Sequence, residues 1–160
     1  MKALTSVSHQ HYQAEDYDED GNLKAPIWFW GALLWLLFPW WLTVIGMAQK
    51  TPLDITQILY PSLIDNVIGL LASAPVLLMY LLYPIRGRYP RWGRRSYFIL
   101  LVLGGLELIY QGAQLIISPI YANEDNNNLM ISILCFNLAA LLSIALSSRL
   151  YYVFSLMKIK

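Results

Sequence analysis

At 160 residues the chain has the length of one domain, but 58% of it is hydrophobic, 14% aromatic and only 13% charged, more apolar than a water-soluble domain normally needs. The apolar residues come in long runs, the formal net charge is +1, and a single cysteine excludes an internal disulfide. Composition therefore points to a membrane protein and away from a soluble or disulfide-stapled domain.

The first polar stretch, DYDEDGNLK, puts Asp16, Asp18, Asp20 and Gly21 on the D-x-D-x-D-G spacing that opens a calcium-binding EF-hand loop. The twelfth position must supply a bidentate carboxylate, and counting from Asp16 it holds Ile27, preceded by Pro26. No apolar helix face precedes the loop either. The expectation is a solvated acidic tail that turns at Gly21, with no metal site and no cofactor; His9 and His11 are read as solvated side chains.

From Ile27 to Ala48 there is no charge, and as a helix at about 1.5 Å per residue this run reaches roughly 33 Å, enough to cross a bilayer. It is too long, and its leading tail too acidic, for a cleaved signal sequence. Pro39 should kink it. Trp28 and Trp30 suit a membrane interface, whereas Trp35, Trp40 and Trp41 lie deeper, where packing on a partner helix and lipid contact both fit. Next, Thr51-Pro52-Leu53-Asp54 predicts the start of a short surface helix capped by Thr51, and Pro61 ends it.

The second predicted span runs from Leu63 to Tyr83, with a kink expected at Pro75 and a small-residue face at Gly69, Ala72 and Ser73 for close helix approach. The connection RGRYPRWGRR then carries Arg86, Arg88, Arg91, Arg94 and Arg95. The loop after the first span has only Lys50, and the loop after the third has no Lys or Arg. By the positive-inside rule the arginine loop is cytoplasmic, and its five arginines are assigned to anionic lipid headgroups. So short a loop beside two spans is better explained by insertion than by nucleic-acid contact.

A third span is expected from Tyr97 to Ile117, with close approach at Gly104-Gly105, and a fourth from Leu129 to Leu150 after the outward-facing ANEDNNN stretch. Cys135, in the fourth, is read as a small packed residue. The resulting fold class is all-α, an integral membrane bundle of four transmembrane helices with both termini cytoplasmic. The tail is 1–25, the transmembrane domain 26–154, and a short basic tail 155–160. Lys2, Lys24, Arg149, Lys158 and Lys160 agree with that orientation.

Tyr17-Asp18, Gly21, Leu23-Lys24 and Pro26 leading into a Trp-bearing span, then Tyr60-Pro61, Asp65, Gly69-Leu70, Pro75 and an Arg-rich loop with Trp92, form an ordered set over about the first 95 residues. This set resembles the YfeZ-like bacterial inner-membrane proteins, a family of unknown function. The resemblance implies a Gram-negative cytoplasmic membrane and no particular activity. It also implies a basic residue inside the first span, and here that region reads LFPWW, with no Arg or Lys from Ile27 to Gln49.

Polar residues inside a bilayer are costly unless they face protein or water. Glu107, Gln111 and Gln114 lie at i, i+4 and i+7 on one face of the third span. Asn137 in the fourth span and Asp65 near the outer end of the second sit at similar depth, so these five residues could line one cleft. As structure, they would be interhelical hydrogen-bonding glue; as function, Glu107 would exchange a proton or cation. No Ser-His-Asp or Cys-His set is present, so the chain is not expected to be an enzyme. The expected role is an accessory or scaffold subunit acting through helix and tail contacts, partnered by lipid, by copies of itself or by another membrane protein. The alternative is an oligomeric proton-coupled transporter using Glu107.

Overall fold

In a computed structural model of the protein the described residues are 13–19, 21–49, 54–117 and 124–155. The first apolar run forms two helices, α1 (Ile27–Leu36) and α2 (Phe38–Gln49), which meet at an angle of 53°. Proline lacks the amide hydrogen that would continue the ladder, and its ring crowds the carbonyl one turn back. The bend falls just upstream of Pro39, at Leu37, whose backbone sits at φ −86° and ψ 3°. The Leu37 amide is shared between the carbonyls of Leu33 and Leu34, at 3.1 and 3.3 Å. The kink expected of Pro39 is present, and it is sharp enough to divide the helix.

The cap expected at Thr51 lies outside the described residues; α3 (Asp54–Leu59) follows and stops before Pro61. Ser62 then caps α4 (Leu63–Leu82) in a reciprocal box. Its hydroxyl accepts from the Asp65 amide at 3.1 Å, while the Asp65 carboxylate accepts from the Ser62 amide at 3.0 Å. Pro75 lies inside α4, and the helix runs through it.

Three boundaries in the last two spans differ from expectation. α5 (Pro90–Ile117) starts at Pro90 rather than Tyr97, so Arg91, Arg94 and Arg95 are helical rather than in a loop. Proline is well suited to a first helical position and arginine is a good helix former, so the helix extends beyond its apolar part. α6 (Glu124–Leu146) takes in the end of the ANEDNNN stretch and stops before Leu150. There Ser147 interrupts the chain, its hydroxyl accepting from the Leu150 amide at 3.3 Å, and a separate α7 (Ser148–Ser155) begins.

Among the described residues three helices, α4, α5 and α6, are long and apolar enough to cross a membrane, and the α1/α2 pair makes a fourth if it is one bent span. α5 lies between α4 and α6; α1 packs on α6 and α2 crosses to α4, closing the bundle. One apolar cluster, with Phe29, Leu33, Met79, Leu100, Ile144 and Phe154 at its centre, fills the end that holds α7. A second, around Phe38, Leu42, Tyr60 and Met130, fills the opposite end.

The outer faces are apolar as well: Leu71, Leu78 and Leu81 on α4, Val102, Leu106 and Ile109 on α5, and Phe136, Leu142 and Leu146 on α6 are exposed. Ser132 and Ser143, also exposed, return their hydroxyls to their own helix, donating to the Asn128 and Ala140 carbonyls at 2.8 Å. Apolar surfaces with self-satisfied hydroxyls outside and amides inside are what a lipid solvent requires. Cys135 is exposed on this outer face, not packed as expected, because the α6 surface that faces its neighbours is the one carrying Met130, Asn137, Leu141 and Ile144.

Small residues act individually. A Cβ at Gly104 would come within 2.8 Å of the Leu141 side chain, so this glycine lets α5 and α6 approach, whereas Gly105 has nothing within 4 Å. At Gly69 the neighbour is not a helix backbone but the Tyr60 ring, 2.6 Å from where a Cβ would stand.

Candidate functional site

Between the two apolar clusters lies a polar layer. From α1, the Trp35 indole Nε1 donates to Asn137 Oδ1 at 2.9 Å. The Asn137 amide on α6 donates in turn to Gln111 Oε1 at 3.2 Å, and Gln111 Nε2 donates to Glu107 Oε1 at 3.1 Å along α5. Asn137 and Gln111 are buried. One continuous line of hydrogen bonds thus ties three helices at the depth where each polar group has least access to water.

The other predicted members form a second group. Gln114 Nε2 donates to the Tyr110 hydroxyl at 3.0 Å, and Tyr110 donates to Asp65 Oδ1. Asp65 Oδ2 accepts from the Ser62 hydroxyl at 2.7 Å. Asp65 is therefore a helix cap and an α4–α5 tie at once. Of the five sequence-predicted residues, Glu107, Gln111 and Asn137 share one chain, and Asp65 and Gln114 are joined through Tyr110. A cleft lined by Asp65, Glu107, Tyr110, Gln111 and Gln114 lies alongside both groups; at about 10 Å³ it has room for a single water. A second cleft of about 10 Å³ lies by the α1/α2 break, lined by Leu36, Phe38, Gly104, Asn137 and, again, Glu107.

Trp35 and Tyr110 were not among the predicted site residues. Trp35 falls in an apolar run and its partner is 102 residues away in sequence, so no local spacing announces the bond. Tyr110 stands three residues after Glu107 on the same face, a signal that the i, i+4, i+7 pattern of Glu and Gln passes over.

At the end of the bundle holding α7, the N-terminal segment is held by charge. Gly21, at φ 72°, closes a small turn in which Asp18 Oδ1 accepts from the Asn22 amide at 2.6 Å and Tyr17 bridges Leu23. The turn docks on the α4–α5 corner. Arg86, 3% exposed, donates to Asp18 Oδ2 at 2.7 Å and to the Tyr83 carbonyl at 2.8 Å. Its guanidinium lies 3.8 Å from the centroid of the Tyr83 ring, and the Tyr83 hydroxyl accepts from the Ala25 amide at 2.8 Å. Arg149 reaches Asp16 at 2.8 Å and the Lys24 carbonyl at 3.2 Å.

The two carboxylates that opened the calcium-like spacing are thus committed to arginines, and the described part of the tail, 13–19 and 21–25, is docked through them rather than free in solvent. Hydrogen bonding from the Gln13 amide and Arg149 holds the Asp16 carboxyl below its ordinary range. Burial of Asp18 opposes ionisation, yet the Asn22 amide and Arg86 outweigh it and lower that carboxyl too. Asp20, His9 and His11 lie outside the described residues. Among the described residues no group of three or more His, Cys, Asp or Glu could hold a metal ion.

Arg86 separates from the other four arginines assigned to headgroups: it is enclosed by protein, its side chain between Asp18 and Tyr83. Arg88, Arg91, Arg94 and Arg95 are exposed.

Comparison with known proteins bears on 12–156, the residues matched by a family model described as a protein of unknown function, DUF2919. The inner membrane protein YfeZ of Escherichia coli strain K12 is 33% identical over 96 residues, a stretch covering 59% of this chain and 64% of that relative. The match thus takes in less than two thirds of the relative's length. No solved structure matches.

Proposed function

As the chain belongs to the DUF2919 family of proteins of unknown function, we propose that it is a non-enzymatic accessory or scaffold subunit of the bacterial inner membrane, acting through helix and tail contacts. The membrane assignment draws on the apolar outer faces and on the likeness to YfeZ, an inner membrane protein. The arginine end is placed in the cytoplasm by the positive-inside rule.

The observation that carries the scaffold reading is the Trp35–Asn137–Gln111–Glu107 line, in which the polar groups satisfy one another across α1, α5 and α6. A solute route needs polar groups that face an open path, and the clefts beside this line have room for single waters. Affinity purification of the full chain in mild detergent, followed by mass spectrometry, tests the reading. A stoichiometric membrane protein other than this chain is the expected result; a pure homo-oligomer in every detergent tried counts against it.

The second reading, an oligomeric proton-coupled transporter, has one observation in its favour: Glu107 lines both clefts and so stands between two places a water could occupy. Proton flux in liposomes holding the pure protein, abolished by Glu107→Gln, would put that reading first.

A further inference from the structure

At the arginine end, residues of α5 and α7 line an open groove of about 600 Å³. Its rim carries Arg91, Arg94 and Arg95, from the first turns of α5. Phe98 and Ile99, one turn deeper on α5, line the groove below them, and Tyr151 and Phe154 of α7 supply the opposite wall. From Arg91 to Ile99 a helix rises about 12 Å, comparable to the step from a phosphate headgroup to the first part of an acyl chain.

Among the described residues no carboxylate is paired with this rim. The N-terminal segment brings Asp16 and Asp18 to the same end of the bundle, but those carboxylates pair with Arg149 and Arg86. Neither ion pair formed among the described residues uses Arg91, Arg94 or Arg95, and no acidic side chain lines the groove. Arg95 instead lies 5.9 Å from the Trp92 ring, itself exposed, an aromatic of the kind that settles at headgroup depth. The floor is firm: Tyr97 stacks on Phe154 at 5.3 Å between ring centroids and donates its hydroxyl to the Ile144 carbonyl at 2.9 Å.

We propose that this groove is a seat for one anionic phospholipid, its phosphate on Arg91, Arg94 and Arg95 and the upper part of an acyl chain along Phe98, Ile99 and Phe154. Three cations at one end and an apolar channel at the other match an amphiphile with negative charge at its head. A soluble phosphate would use only the rim, and an apolar partner helix only the floor. α7 is then more than the end of the fourth span: its aromatic residues make the wall that turns a basic stripe into a site.

The test is native mass spectrometry of the full chain released from detergent, with dioleoyl phosphatidylglycerol or dioleoyl phosphatidylcholine added in equal amounts. One phosphatidylglycerol should be retained in preference to phosphatidylcholine. Replacing Arg91 and Arg94 by Gln should weaken that retention about fivefold for each charge removed. Ile99→Trp, which fills the groove and leaves every charge in place, should abolish the single retained lipid. Retention that is equal for the two lipids overturns the proposal, as does displacement by millimolar inorganic phosphate. Undiminished binding in Ile99→Trp also overturns it, because diffuse attraction to a basic surface needs no groove. The arginine and isoleucine variants alter different parts of the site, so if one of them misfolds the other still decides.

Discussion

Asp18 and Arg86, 68 residues apart in sequence, meet with 2.7 Å between carboxylate and guanidinium at the junction of the N-terminal turn with the α4–α5 corner. The partners are unequally enclosed, with Arg86 3% and Asp18 26% exposed. Removing the carboxylate leaves a cation surrounded by protein, the costlier of the two ways to break such a pair. Asp18→Ala should lower stability by about 2–3 kcal/mol, toward the lower end for enclosed pairs because Asp18 is partly screened by solvent. Asp16→Ala, at the more open Arg149, should do less. Unfolding midpoints in detergent check both, and equal effects would contradict the difference in enclosure.

Both carboxyls are held below their ordinary value of 3.8 in the folded chain. Depressed carboxyls bind protons less readily folded than unfolded, so the stability they add is complete above that value and is lost as pH falls through it. The unfolding midpoint should therefore drop on acidification from about pH 5 toward 3, and Asp18→Asn should make the drop shallower. A midpoint that rises over this interval would have the wrong sign.

At Glu107, Gln keeps an oxygen that can accept from Gln111, whereas Leu leaves that amide unpaired inside the bundle. Glu107→Gln should fold with native stability, and Glu107→Leu should cost roughly 0.6–2 kcal/mol, the range of intramembrane polar ties. Unfolding in mixed micelles separates the two. A Gln variant as unstable as the Leu variant would require the carboxylate to make bonds beyond this line.

The glycines give a paired prediction. Gly69→Ala drives a methyl into the Tyr60 ring and should destabilise by about 1–3 kcal/mol. Gly105→Ala meets nothing and should gain up to about 1 kcal/mol from helix propensity. Thermal midpoints of the two variants in one detergent suffice, and matching shifts would rule out Tyr60 as the cause.

The orientation proposed above, with the arginine end cytoplasmic, has a direct test. A reporter active only outside the cytoplasm should stay silent when fused after Lys160 and be active when inserted between α5 and α6, near Ala122. The reverse pattern would invert the protein.

The apolar runs made the spans legible, because length and freedom from charge are local properties of sequence. Helix ends were less so. α5 continues through Arg91, Arg94 and Arg95 since nothing in its backbone chemistry stops it at the membrane edge, and α6 yields to α7 at Ser147, whose hydroxyl offers the chain another bond. In the polar layer, Glu107 and Gln111 could be paired from their i, i+4 spacing. The Trp35–Asn137 and Tyr110–Asp65 bonds depend on which helices are neighbours, which periodicity does not encode. The Asp16 and Asp18 spacing was plain, and with the metal loop set aside it was read as a solvated turn; their partners come from Arg149 and Arg86, far along the chain.

The hold of Arg149 on Asp16 spans 133 residues, nearly the whole chain. A ribosome makes Asp16 early and Arg149 after α6, so this bond can close only once every intervening helix has been made. Until then the N-terminal segment carries a carboxylate awaiting its counterion. A chain halted before α7 would keep the Asp18–Arg86 pair and lack this one, so the last helix completes the fastening of the first described segment.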